Sequence, residues 1–257
     1  MHIQELFDLT GKTAVVTGGG RGLGEQIAVA LAEAGANVVV CSRKLEACQE
    51  VSERLKEKGA QSLAIKCDVT NPEDVNSVVE ETLKHFGTID ILFNNSGVSW
   101  GAPALEMPLQ KWNMVINVNV TGTFLMSQAV GKTMMKNQSG KIINIASTAG
   151  LGGQDPGQLD AIGYSTSKGA VITFTKDLAM KLAPYNIHVN AIAPGFFPTK
   201  MSKGVLAHAG EKILEQTPLR RFGSDDDLKG AALFLASKAS DYVTGHVLVV
   251  DGGVHAM

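Results

Sequence analysis

Residues 17–24 read Thr17-Gly18-Gly19-Gly20-Arg21-Gly22-Leu23-Gly24, set between an apolar run at 12–17 and an amphipathic stretch at 22–34. The short apolar run reads as a buried strand and the longer stretch as a helix. Glycine lets a backbone turn through positive φ and approach another group closely. A helix N-terminus presents unpaired N–H groups and a partial positive charge. A strand that passes through such a turn into a helix builds a cradle for an anion such as a pyrophosphate. The spacing is TGxxxGxG, not the GxGxxG of the usual dinucleotide fingerprint. A plain glycine-rich turn is the other reading of the same residues.

The rest of the chain repeats this unit. Strands are expected at 37–41, 62–66, 89–93, 141–146, 187–192 and 246–250. Helices are expected at 45–58, at 72–86 with Pro72 in its first turn, on either side of 115–128, and at 164–183, ended by Pro184. Continuous apolar strands alternating with helices imply a parallel sheet covered on both faces. The expected fold class is therefore α/β: one doubly wound, Rossmann-type domain over residues 1–257, with a seven-stranded parallel sheet. Ligands of such folds sit at the carboxyl ends of the strands.

Composition excludes several classes. The net charge of −2 gives no basic field for nucleic acid or an anionic membrane, and no apolar run reaches the length of a membrane span. The N-terminus lacks the charged and apolar regions of a secretory signal. Three cysteines without CxxC spacing suggest free thiols in a reducing cytoplasm. The six histidines form no HxxxH or HExxH pair, so no metal is expected.

The adenosine end of a dinucleotide is read where the second strand stops, at Val40-Cys41-Ser42-Arg43-Lys44. An acid there usually holds an unphosphorylated ribose. Here Ser42 stands in that place, Arg43 follows it, and Arg21 lies inside the glycine loop. A guanidinium pairs well with a phosphate, so NADP(H) is favoured over NAD(H). The alternative is that Arg43 and Lys44 merely open a solvated helix. Asp68, followed by Val69, ends the third strand; it suits either an adenine amino group or a cap ahead of Asn71-Pro72. Asn95, Ser96 and Gly97 end the fourth strand and suit a tight backbone beside the cofactor.

Tyr164 and Lys168 form YxxxK, in Tyr164-Ser165-Thr166-Ser167-Lys168, which puts both side chains on one helix face. A free tyrosine has a pKa of about 10, and lowering it to about 7 takes roughly 4 kcal/mol of phenolate stabilisation. A nearby ammonium and a positive nicotinamide ring in a dry site supply charge of the right sign. Such a pair also arises on ordinary surface helices. Ser147, just past the fifth strand, has a hydroxyl placed to bind a substrate oxygen. Asn119 is a polar residue in an apolar segment, and reads also as a core amide or a clip that bends the helix. The rigid patch after the sixth strand, with Pro194, Gly195, Phe197 and Thr199, suits the nicotinamide side of a cleft.

In this order, TGGGRGLG, Asp68, Asn94-Asn95-Ser96-Gly97, Asn119, Ser147, YSTSK, Pro194-Gly195-Phe196-Phe197-Pro198-Thr199 and Val250-Asp251-Gly252-Gly253 resemble the short-chain dehydrogenases/reductases, nearly end to end. The resemblance implies a small-molecule oxidoreductase that interconverts a ketone and a secondary alcohol by hydride transfer. It implies Tyr164 as general acid/base and Lys168 as the residue that lowers its pKa and binds the nicotinamide ribose. Ser147 would orient the substrate oxygen, and Asn119 would hold a water that links Lys168 to solvent. It also implies a homotetramer using the helices near 115–136 and 164–183.

Two features depart from the family pattern. Ser96 replaces the usual alanine, and the segment 148–163 is a few residues longer than usual, the extra residues falling within 152–160. That loop, and a lid at about 196–217, are expected to shape the pocket. Within the family the chain looks like the 3-oxoacyl thioester reductases, including those for acyl carrier protein, taken as the first reading. Gluconate 5-dehydrogenase-type enzymes of sugar acids and polyols are the alternative. A nucleotide-sensing protein without catalysis is the remote one, and the filled tetrad weighs against it.

Overall fold

The computed structural model describes residues 1–155 and 159–256. Strands β1 (Thr13–Thr17), β2 (Asn37–Ser42), β3 (Ser62–Lys66), β4 (Ile91–Asn94), β5 (Gly140–Ile145), β6 (Ile187–Pro194) and β7 (Val247–Val250) form one sheet in the order β3-β2-β1-β4-β5-β6-β7. All pairings are parallel. The helices are α1 (Ile3–Phe7), α2 (Gly22–Glu33), α3 (Leu45–Glu57), α4 (Pro72–Phe86), α5 (Leu109–Ile116), α6 (Gly122–Asn137), α7 (Ile162–Leu182), α8 (Lys203–Gln216) and α9 (Lys229–Ala236). The α/β doubly wound architecture is as expected from the alternation of runs.

Side chains alternate faces along a strand, so each strand feeds two cores. Ala14, Val16, Val38, Val40, Phe93 and Ile143 pack with Ile27, Leu31, Leu55 and Leu235 on the face carrying α2, α3 and α9. Val15, Val39, Leu92, Ile142 and Val189 face Val78, Met126, Val130, Met134 and Leu182 of α4, α6 and α7. Burial on both faces is the reason these strands are apolar throughout.

Local chemistry sets the boundaries. Asn71 caps α4 by accepting from the Glu73 amide at 2.9 Å, Pro72 opens the helix, and Gly87 at φ +76° closes it. β4 begins at Ile91 rather than at 89, and just before it the Asp90 carboxylate accepts from the Thr13 amide (3.0 Å) and the Lys12 ammonium (3.0 Å). The two helical stretches expected around 115–128 are one rod: α5 runs through a π turn, Asn117–Thr121, straight into α6. All three cysteines are buried free thiols. Among the described residues no helix is long and apolar enough to cross a membrane.

Candidate active site

Because every strand is parallel, the segments that follow β1 to β6 emerge along one edge of the sheet. The glycine loop, Ser42–Arg43, Asp68–Val69, Asn95–Gly97, Ser147 and Gly195–Thr199 all lie there.

The loop after β1 is held by groups behind it. Thr17 Oγ1 accepts from the Asn95 and Ser96 amides, both at 3.0 Å, and donates to Phe93 O at 3.3 Å. Asn95 Nδ2 donates to Thr17 O (2.9 Å) and Gly18 O (3.2 Å). Gly18 and Gly22 take positive φ, +64° and +55°. A Cβ on Gly24 would lie 2.4 Å from Asn95 Nδ2 and from Gly18 O. The N-cap residue of α2, Arg21, gives no side-chain hydrogen bond to that helix start. Its first amides thus carry no side-chain cap. Thr17 heads the TGxxxGxG motif in the sequence, but its role in holding the loop after β4 is visible only in the fold.

At the end of β2, Ser42 Oγ donates to Lys44 O (3.0 Å) and lies 3.2 Å from Cys48 Sγ, building the turn into α3. Arg21 and Arg43 are exposed, with no hydrogen bond or ion pair from their side chains among the described residues. Asp68 Oδ1 accepts from the Thr70 amide (3.0 Å) and hydroxyl (2.8 Å), while Asn71 does the capping of α4. Val69 is buried against Gly122, and Leu23 is partly buried against the core. The methyl of Thr199 faces Gly22. Phe197 turns its ring into the core against Gly223, so only its backbone borders the cleft. The Gly195 backbone rests against Asp251, and Pro194 O accepts from Thr148 Oγ1 at 3.4 Å.

The structure brings Ser147, Tyr164 and Lys168 together. Ser147 caps a short 3-10 turn, its hydroxyl accepting from the Ala149 amide at 3.2 Å. Burial raises the Tyr164 pKa above its ordinary value, and the Ser147 hydroxyl opposes that rise. Lys168, 5% exposed, donates to Ile145 O at 2.6 Å, with Nζ 5.6 Å from the centre of the Tyr164 ring. Burial lowers its pKa to about 8. The chain by itself therefore does not make the phenol a stronger acid.

Asn119, 1% exposed, sits in the π turn. Its Oδ1 accepts from the Val98 amide (2.8 Å), and its Nδ2 donates to Val98 O (3.0 Å) and Ser167 Oγ (2.9 Å). The core-amide reading of Asn119 thus describes its setting. Ser167 and the Ile145 carbonyl were not picked from sequence.

The pocket walls are less tightly built. Gly150 lies on the α7 backbone: a Cβ there would be 2.5 Å from the Lys168 carbonyl carbon. Asp160 O accepts from the Ala102 amide at 2.9 Å, and Lys111 Nζ stands 4.0 Å from the centre of the Trp100 ring. Within the expected lid, α8 reaches the long loop through Lys212 Nζ and Asp155 Oδ2, 2.6 Å apart. Pro156, Gly157 and Gln158, part of the loop expected to shape the pocket, lie outside the described residues.

A sequence family described as Enoyl-(Acyl carrier protein) reductase matches residues 18–255. A 5-keto-D-gluconate 5-reductase of Escherichia coli (strain K12) is 40% identical over 254 residues, covering 98% of both chains. A 3-oxoacyl-[acyl-carrier-protein] reductase of Synechocystis is 41% identical over 248 residues, covering 96% of this chain and 98% of that one. The crystal structure of a gluconate 5-dehydrogenase from Burkholderia cenocepacia J2315, in complex with NADP and tartrate, superposes with a TM-score of 0.94 at 36% identity over the full length of both chains.

Proposed function

Since the chain belongs to the short-chain dehydrogenase/reductase family and is an NAD(P)-dependent oxidoreductase of the CH–OH group, we propose that it reduces a ketone to a secondary alcohol with NADPH, and runs the reverse with NADP+. The observation that carries this reading is buried Lys168 with its Nζ 5.6 Å from the centre of the Tyr164 ring, at the same sheet edge as the glycine loop.

The residues fit a dinucleotide. The amides of Gly22, Leu23 and Gly24 would take the pyrophosphate, in a cradle that a Cβ on Gly24 would fill. Arg21 and Arg43 would meet a 2′-phosphate, and Asp68 with Val69 the adenine. Asn95, Ser96, Gly97, Pro194, Gly195, Phe197 and Thr199 would line the nicotinamide side, with Lys168 on its ribose. When bound, the nicotinamide supplies or takes up the hydride. Ser147 donates a hydrogen bond to the substrate oxygen. Tyr164 gives that oxygen a proton in reduction and removes it in oxidation, a role commonly worth about 10²–10⁴-fold in rate. The Lys168 ammonium steadies the phenolate, and Asn119 with its water returns a proton to Lys168.

For the substrate, a 5-keto-D-gluconate 5-reductase is 40% identical over 98% of both chains, and a gluconate 5-dehydrogenase bound to NADP and tartrate superposes over the full length of both chains. A compact sugar acid or polyol is therefore put first, ahead of the 3-oxoacyl thioester that the sequence placed first. The thioester reading keeps the support of the Synechocystis relative. Exposed Phe124 on α6 and Met180 on α7 support a homotetramer joined through these helices. Steady-state kcat/KM for 5-ketogluconate and for a 3-oxoacyl thioester, each with NADPH and NADH, tests the reading. Preference for the thioester restores the earlier order, and preference for NADH removes the 2′-phosphate assignment.

A further inference from the structure

We propose that Ser167 is a positioning residue for this chemistry, holding the Asn119 carboxamide in register with the helix that carries Tyr164 and Lys168. The inference rests on the tetrad reading above.

Ser167 is completely buried and precedes Lys168 on α7. Its hydroxyl is used twice: it donates to Tyr164 O at 2.7 Å and accepts from Asn119 Nδ2 at 2.9 Å. Bonding back to a carbonyl three residues earlier is ordinary for a helical serine. The second bond is not local, since it crosses to the π turn 48 residues away. With its proton committed to Tyr164 O, the serine offers only lone pairs to Asn119. The amide must therefore point an N–H at it. The remaining amide bonds go to Val98, so one carboxamide ties together the loop after β4, the π turn and α7.

That knot adjoins the lysine. A Cβ on Gly97, next to Val98, would lie 3.5 Å from Asn119 Oδ1 and 3.7 Å from Lys168 Nζ. The carboxamide and the ammonium thus flank one backbone position, and burial makes that ammonium easy to discharge. Without the serine hydroxyl, one Asn119 N–H faces an apolar wall, a costly state that the amide relieves by turning. Turning alters the lysine's surroundings and leaves the glycine loop untouched.

The test uses the full-length enzyme and the ketone it reduces fastest, comparing Ser167→Ala, Ser167→Thr and Tyr164→Phe with the parent. Ser167→Ala is expected to lower kcat about tenfold, the size of one buried hydrogen bond. KM and NADPH affinity should stay within about twofold, while the alkaline limb of the kcat profile shifts. Ser167→Thr, which keeps the hydroxyl, should restore most of both. A variant with lowered Tm but unchanged kcat and pH profile would overturn the proposal and leave Ser167 a packing residue. If Ser167→Ala does not fold, the near-isosteric Ser167→Cys, a weak acceptor, decides by the same readouts. Activity surviving in Tyr164→Phe brings down the tetrad reading, and this proposal with it. Loss of activity there, with Ser167→Ala at parental rates, brings down this proposal alone.

Discussion

A methyl group added at Gly18, Gly19 or Gly24 would meet Asn95, Val40 or the Gly18 carbonyl within 3 Å, whereas at Gly152 and Gly153, in the loop leading to Tyr164, it would meet nothing within 4 Å. Both regions are rich in glycine, for opposite reasons. In the first, the backbone is pressed against strands and helix, and the shape is set by close packing. In the second, both glycines stand open at the surface, and a Lys212–Asp155 ion pair ties the segment to α8. The pyrophosphate is common to NAD(H) and NADP(H), so a cradle for it gains from rigidity. Substrates differ, and a loosely tied wall can change without disturbing the sheet.

The residue standing between the two regions should show the largest effect. Tyr164→Phe is expected to lower kcat by about 10³-fold with NADPH affinity nearly unchanged, measured by single-turnover rates and fluorescence titration. A parallel loss of affinity would mean the two regions are not separable. Next comes the cradle: Gly24→Ala should weaken NADPH at least about thirtyfold, equivalent to roughly 2 kcal/mol of overpacking. Gly152→Ala should leave both affinity and kcat within about twofold. Equal effects at the two glycines would break the contrast.

Arg43→Ala should raise the KM for NADPH about tenfold and leave that for NADH unchanged, as expected from loss of a charge-assisted phosphate contact. The smallest effect belongs to the wall: Lys212→Ala should change kcat/KM by about threefold or less, since both partners are half exposed and screened. A larger change would show that the pair, and not the loop around it, defines the pocket.

Much of this was legible in the sequence wherever the information is local. The cradle reads directly from glycine spacing after a strand, and α4 from Asn71, Pro72 and Gly87. What escaped depends on residues far apart in the chain. Asp90 ties the entry to β4 to β1 through its carboxylate. Thr17 and Ser167 each pair with groups roughly eighty and fifty residues away, which no periodicity announces. The ease with which Lys168 loses its charge beside Tyr164 also depends on burial, which only packing sets. The π turn left no mark at all, because its backbone angles stay helical.

That turn has a consequence for how one helix can serve two neighbours. A π turn carries about one residue more than an α turn, so it rotates everything beyond it by about 100° relative to an unbroken helix. Before it, Trp112 and Val115 of α5 face Gly163 on α7; after it, α6 lies against α4. The extra residue acts as a phase shifter, turning the apolar stripe from one partner to the next without a bend or a loop. Deleting one residue from 117–121 would restore an even winding, and would leave either the α7 side or the α4 side of the rod facing the wrong way.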